Sequence, residues 1–483
     1  MNMPYAEAVG RFAAADNLRL NIPGHGADHG AAPELMDFFG AELLRRDITP
    51  LLHGIDMGED SPLAEALTLA AQAWGARRTW FLTNGASQAN RIGALALGSL
   101  GHPNQPVLVQ RSAHSSFIDG IILGGLLPVF MQPRMDERFS MAHGVTPATL
   151  EQSLAENADV KGVYVVTPSY FGAVSDVRAM ARIAHDAGVP LMVDGAWGAH
   201  FGFHPDLPDN PLALGADLVV SSTHKLGGSL TQSAMLHLAD GPFADILEPL
   251  IQRAAFLCQS TSTSSLLLAS LDIARYSLEN GQSRIGASIA SAAELRASIR
   301  EGGRFGIVSD TWNVDDIVAN DPLRVSIDVR SGGLNGRAVQ DELVRSAGIY
   351  TEISTDSCIV AFIGPGFKPD NKRLLSALHA LEADGPLAYV SSEAVVLPPP
   401  GALDLRPREA WFAPTVTLPA DQAVGHISTD SLAAYPPGVP NVLPGEVLTA
   451  EVVDFLRRIA ATPGGYVRGA IDANVDTFRV VAE

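Results

Sequence analysis

The segment "ADLVVSSTHKLGGSLTQSAMLHL", Ala216 to Leu238, decides how the rest of the chain is read. Leu218 to Val220 form an apolar run short enough for a buried strand. Five polar residues follow at once, Ser221 to Lys225, then two glycines and a second apolar run. A lysine at the end of a core strand is costly to keep as a cation, and burial lowers its pKa. A lysine so placed suits a nucleophilic amine.

Other segments repeat the strand pattern. "RTWFLTN", "PVLVQR", "LPVFMQ", "GVYVVTP" and "PLMVDG" are short apolar runs, and helical patterns such as "ASQANRIGALALGSL" and "VRAMARIAHDAG" lie between several of them. Strands alternating with helices predict an α/β fold, with a mostly parallel seven-stranded sheet covered on both faces. Ligands of such sheets bind beyond the carboxyl ends of the strands. Ser61 followed by Pro62 reads as the cap and first residue of the opening helix. One long helical stretch, "LLLASLDIARYSLENGQSRIGASIASAAELRASIREGG", closes this large unit. "DPLRVSIDV" to "NKRLLSALHALEA" then reads as a smaller β-α-β-α unit, "VVLPPPGALDL" as a linker, and the tail as Pro-rich turns with a final helix. The expected divisions are an arm over 1–60, a large domain over 61–305, a small α/β domain over 306–395 and a C-terminal region over 396–483.

The bulk properties narrow the function. The 483 residues carry 33 Lys and Arg against 53 Asp and Glu, a net charge of -20, which argues against nucleic acid or anionic membrane as partner. The two cysteines, Cys258 and Cys358, provide no disulfide framework and no metal-binding spacing. The opening residues lack a secretory pattern and no apolar stretch is long enough to span a bilayer, so a cytoplasmic protein is expected.

Four strand ends carry the chemistry. Asn84-Gly85-Ala86-Ser87 opens a helix, where free N–H groups and the helix dipole favour a phosphate. His114 follows "PVLVQR" and is suited to stacking on a flat ring or to proton transfer. Asp194 ends "PLMV", where a carboxylate is poorly solvated unless paired, and a protonated pyridine nitrogen is a suitable partner. Lys225 ends the opening segment. Each has an ordinary alternative: a plain helix cap, a histidine bonded to backbone, an aspartate cap, a surface lysine. Together they describe pyridoxal 5'-phosphate chemistry.

With "NIPGHG", "VDGAWGAHFGFHP", "SSTHKLGGSLTQSAMLH", "QSTSTSS" and "YPPGVPNVLPGE" added, the chain resembles the Orn/Lys/Arg decarboxylases of the PLP-dependent transferase fold type I, in a short form without their N-terminal wing. The resemblance implies decarboxylation of a basic amino acid, with pyridoxal 5'-phosphate as cofactor. Lys225 would be the imine-forming amine, and His114 would stack on the pyridine ring. Asp194 would bind the ring nitrogen, while Ala196 and Trp197 line the ring. Gly85, Ala86, Ser87, Ser222 and His224 would hold the phosphate or the ring face. Thr261 and Ser262 would reach a neighbouring subunit's phosphate in a homodimer or higher homo-oligomer. Asp430 and Glu446 would recognise the basic side chain. Ala86 stands where the family commonly has Thr. In the loop that usually reads "STSPSY", Thr263 replaces Pro and Ser265 replaces Tyr, and "DGAWGAHF" stands for "DEAHGAHF". These departures keep open a PLP-dependent aminotransferase, or an oxygen-dependent oxidase or deaminase, acting on a basic amino acid; a non-catalytic relative is the remaining option.

Overall fold

The computed structural model describes residues 2–157, 159–312, 316–389, 397–435, 439–462 and 465–482. Seven strands build the main sheet: β1 (Arg78–Leu82), β2 (Pro106–Gln110), β3 (Leu127–Met131), β4 (Val163–Val166), β5 (Leu191–Asp194), β6 (Leu218–Ser221) and β7 (Ala234–Leu238). Their order is β1-β7-β6-β5-β4-β2-β3. Only β7 runs against its two neighbours; the other pairs are parallel. All seven apolar runs of the sequence are strands of this sheet.

Both faces of the sheet are covered, as continuous apolar runs require. Leu191 and Val193 pack into one buried cluster with Trp74 and Leu295, and Met192, between them, packs into the other with Ile92 and Phe117. Successive side chains of a strand point to opposite faces, so β5 is buried twice over. Ser61 caps the first helix of the large unit (Pro62–Trp74) through a 3.2 Å bond from the Ala64 N–H.

The long helical stretch is two helices, Ser265–Glu279 and Gln282–Gly302, broken at Asn280-Gly281. A Cβ on Gly281 would lie 2.3 Å from the Ser277 carbonyl oxygen, so the break needs glycine there. The N-terminal helix Pro4–Ala14 is held against the first of these, where Asp272 accepts the N–H groups of Tyr5 (3.0 Å) and Ala6 (3.2 Å). Ser265 fastens the arm a second time: its hydroxyl accepts from Ile48 N–H at 3.0 Å and donates to the Arg46 carbonyl at 2.8 Å.

The β-α-β-α order of the smaller unit is present. Its four-stranded antiparallel sheet contains Gly306–Ile307, Arg324–Asp328, Cys358–Phe362 and the two-residue strand Ile353–Ser354. The last lies in no apolar run, because two residues show no period. The C-terminal region has its own apolar core around helix Ala450–Ala460. It also has strands absent from the sequence reading, Leu432–Tyr435, Pro440–Val442 and Tyr466–Arg468 in one sheet and Thr415–Pro419 with Thr477–Val481 in another. Within the motif "YPPGVPNVLPGE", residues 436–438 lie outside the described residues, as do residues 395–396 of the linker. Among the described residues no helix is long and apolar enough to cross a membrane.

Candidate active site

The carboxyl ends of β1, β2, β4, β5 and β6 open into one cavity of about 590 Å³. Lys225 enters it from a single π-helical turn, Thr223–Gly227, that follows β6 directly. Turns of this type widen a helix locally and recur at functional sites. Gly228, at φ +81°, reverses the chain toward β7 in a conformation that side-chain-bearing residues rarely adopt. The Lys225 Nζ lies 3.4 Å from the centroid of the Trp197 ring. Burial pulls its pKa down from 10.5 to about 8, with Arg324 pushing the same way and Asp194 and Glu352 opposing. The chain has four lysines. Of the other three, Lys161 binds the carbonyls of Gly98 and His102 at the end of helix Gly85–Gly98, and Lys368 and Lys372 are exposed.

Asp194 ends β5, buried to 3 % exposure. Its Oδ2 accepts from Asn90 Nδ2 at 2.8 Å and from the Tyr164 hydroxyl at 2.9 Å, and its Oδ1 accepts from the Ala196 N–H at 3.0 Å. Burial, reinforced by Asp194, raises the Tyr164 pKa well above its ordinary value, so this phenol stays a donor. Phe117 stacks on Tyr164 with centroids 3.5 Å apart and fixes the ring. The carboxylate is therefore aimed rigidly and still lines the cavity.

His114 caps helix Ser115–Gly124, and its ring faces the same cavity. Desolvation lowers its pKa, with Lys225 and Arg468 adding to the effect and Asp194 and Asp119 opposing it. On the β1 side, Gly85 turns the chain at φ +72° into helix Gly85–Gly98. Ala86 and Ser87, in the first turn of that helix, line the cavity together with Ser222 and His224. Burial, then Lys225, lowers the His224 pKa. Ala196 and Trp197 form a further wall. Trp197 is braced by Arg324, whose guanidinium lies 5.1 Å from the ring centroid. Fully buried Arg324 donates to the carbonyls of Trp197 (2.6 Å) and Ser169 and pairs with Asp321 at 3.3 Å.

Three further candidates sit elsewhere. Ser262 lines a separate cavity of about 480 Å³ with Asn84 and Gln232, and Thr261 is exposed and lines neither. Asp430 lines an adjoining cavity of about 400 Å³ that shares His114 and Tyr170 with the first. Its carboxylate accepts from Arg479 at 2.9 Å, while burial raises its pKa.

Glu446 needs correction as a substrate-recognising residue. It forms a bidentate ion pair with Arg111, with side-chain exposures of 4% and 2%. Arg111 also donates to the carbonyls of Pro440 and Asn441. The pair ties the C-terminal region to the end of β2 and spends the carboxylate on that contact. Glu446→Gln or Arg111→Met alone is expected to destabilise the fold by about 3–5 kcal/mol, because the partner charge stays buried. Denaturant unfolding measures the loss.

Asn90, Tyr164, Tyr170, Arg324 and Glu352 were not singled out by the sequence reading. Asn90 and Tyr164 carried one signal, a polar group inside an otherwise apolar helix face or strand.

The sequence profile of the Orn/Lys/Arg decarboxylase major domain matches residues 3–321, and that of the Orn/Lys/Arg decarboxylase C-terminal domain matches residues 404–464. The chain belongs to the Orn/Lys/Arg decarboxylase family. It is 32% identical over 487 residues to arginine decarboxylase of Bacillus subtilis (strain 168), covering 99% of this chain and 98% of that protein. Arginine decarboxylase of Halalkalibacterium halodurans is 33% identical over 494 residues, covering 99% and 98%. Among solved structures, lysine decarboxylase A from Pseudomonas aeruginosa superposes with a TM-score of 0.82 at 21% identity, covering 99% of this chain and 80% of that one. The fold is that of the PLP-dependent transferases of fold type I. Membership makes this chain an amino-acid decarboxylase by family, and the family implies pyridoxal 5'-phosphate.

Proposed function

We propose that the protein is a pyridoxal 5'-phosphate-dependent decarboxylase of a basic amino acid of the arginine, lysine or ornithine type, working as a homodimer or larger homo-oligomer. The observation that carries this reading is the meeting of Lys225, Asp194 and His114 in one cavity. The residues fit the cofactor on chemical grounds. The cavity offers an amine of lowered basicity, an aimed carboxylate for a protonated ring nitrogen, and a helix N-terminus with Ser87 nearby for a phosphate. When bound, the cofactor supplies the ring that accepts electrons as the carboxylate bond breaks.

The chain's own residues do the rest. Asp194 would keep the cofactor's ring nitrogen protonated; Asn90, Tyr164 and Ala196 keep the two Asp194 oxygens from turning away. Lys225 would hold the cofactor through its Nζ, and the same amine would be placed to move protons at the reacting carbon. Trp197 and His114 close two walls of the cavity and keep water from the reacting atoms. Glu352, whose charge acts on both Lys225 and Arg324, joins Asp430 as a candidate carboxylate for the basic side chain. Glu352→Gln is expected to raise KM for a basic amino acid about tenfold or more while changing kcat less. Steady-state kinetics on the best substrate measures both.

A panel of amino acids, followed by mass spectrometry with carbon dioxide, ammonia and peroxide measured together, tests the activity. The expected result is carbon dioxide and the matching amine from a basic amino acid. Ammonia or peroxide without carbon dioxide would establish the oxidative alternative instead.

The Lys225 pKa gives a pH prediction. The free amine dominates above about pH 8, so the cofactor-free protein captures pyridoxal 5'-phosphate faster as pH rises toward 8 and levels off above it. Stopped-flow absorbance checks this, and a rate still climbing toward the ordinary lysine value of 10.5 contradicts it. The linked stability has the same sign. Between about pH 8 and 10.5 the unfolded lysine keeps its proton and the folded one does not, so the cofactor-free fold gains stability as pH rises through that window.

A further inference from the structure

A chain of hydrogen bonds runs from Asp194 to His114 through Asn90 and Ser116. Asn90 Nδ2 donates one hydrogen to Asp194 Oδ2 at 2.8 Å and the other to Ser116 Oγ at 3.1 Å. Ser116 Oγ lies 2.7 Å from His114 Nδ1, and the Ser116 backbone N–H donates to the same nitrogen at 3.2 Å. Asn90 and Ser116 are each 1% exposed, so water does not substitute for these partners.

The donor inventory gives the chain a direction. A carboxylate only accepts, so Asn90 presents its amide hydrogens to Asp194. Ser116 Oγ accepts the second Asn90 hydrogen and keeps its own for His114 Nδ1. A backbone N–H is a donor at every pH. His114 Nδ1 therefore meets two donors, and a proton on it would oppose both.

We propose that Ser116 and Asn90 are positioning residues that hold His114 as a neutral imidazole with its proton on Nε2. The inference rests on the reading of this cavity as the decarboxylase site. The charged groups around the ring are Asp194 and Asp119, which favour a cation, and Lys225 and Arg468, which oppose one; desolvation outweighs each of them. A neutral imidazole yields its last proton only far above physiological pH. His114 then serves as a flat wall and a hydrogen-bond donor from Nε2, and proton transfer at the reacting carbon falls to Lys225.

The test is the ¹⁵N spectrum of the histidine rings in the cofactor-free, full-length protein, with His114 assigned by difference from His114→Gln. The expected wild-type spectrum shows Nδ1 bare and Nε2 protonated at neutral pH. A protonated Nδ1 there overturns the proposal. In Ser116→Ala only the backbone donor remains on Nδ1, and the ring is expected to titrate at higher pH. In the loaded enzyme the acid limb of kcat/KM should move upward with it, the cofactor's visible absorbance should persist, and Ser116→Thr should restore the wild-type profile. An unchanged ring titration and pH profile in Ser116→Ala overturns the positioning role. A wild-type protein that never bonds the cofactor at Lys225 would sink the decarboxylase reading instead, whatever the tautomer.

Discussion

Lys225→Ala is expected to abolish the visible absorbance of the bound cofactor and to lower turnover by about four orders of magnitude or more. Two roles disappear together. The amine proposed to bond the cofactor is gone, and so is the group proposed to move protons at the reacting carbon, a role worth about 10²–10⁴-fold by itself. Binding and electrostatics leave a residual rate, as when a nucleophile is deleted from other sites. The fold should survive. The Lys225 side chain contacts the Trp197 ring, and a partly desolvated amine is no asset to stability. Thermal unfolding of the cofactor-free variant should match or slightly exceed the wild type. A variant that folds, loads the cofactor normally and still turns over would remove Lys225 from the mechanism.

Asp194→Ala is expected to fail in both activity and stability. Three donors lose their acceptor at once: Asn90 Nδ2, Tyr164 OH and the Ala196 N–H. Buried donors left unpaired cost about 1–3 kcal/mol each, so a total loss of about 3 kcal/mol or more is expected. Asp194→Asn separates the two effects. It keeps an oxygen to accept from Tyr164 or Asn90 but carries no charge to hold a proton on the ring nitrogen. Activity should fall about 10³-fold in either variant, while Asn recovers part of the stability. Denaturant unfolding and steady-state turnover, measured on both variants, check the separation. Full activity in Asp194→Asn would show that the charge is not needed.

Much of the fold was legible because its strands are buried on both faces. An apolar run such as "PLMV" or "ADLVV" admits few other readings when it alternates with helical patterns. The gathering of polar groups at the strand ends was legible for a related reason. Asp194 and Lys225 are polar groups placed where an apolar run stops, and such a position requires a partner. Asn90 and Tyr164 lie inside their elements, and nothing local joins them to Asp194. Their meeting depends on β4 lying beside β5 and on helix Gly85–Gly98 crossing the sheet. Glu446 looked like a ligand residue because its partner, Arg111, stands 335 positions earlier. The strands of the C-terminal region have three to five residues each, too few for an alternating pattern to show. Ser265, which stands where the family usually has Tyr, fastens the N-terminal arm, a role visible only when Arg46 and Ile48 are beside it.

The central claim is that Lys225 is the amine that bonds the cofactor. Borohydride reduction of the pyridoxal 5'-phosphate-loaded protein, followed by peptide mapping, tests it most directly. One stable label is predicted, on the peptide that contains Lys225, with none on Lys161, Lys368 or Lys372. A label on another lysine, or no label after full loading, would contradict it.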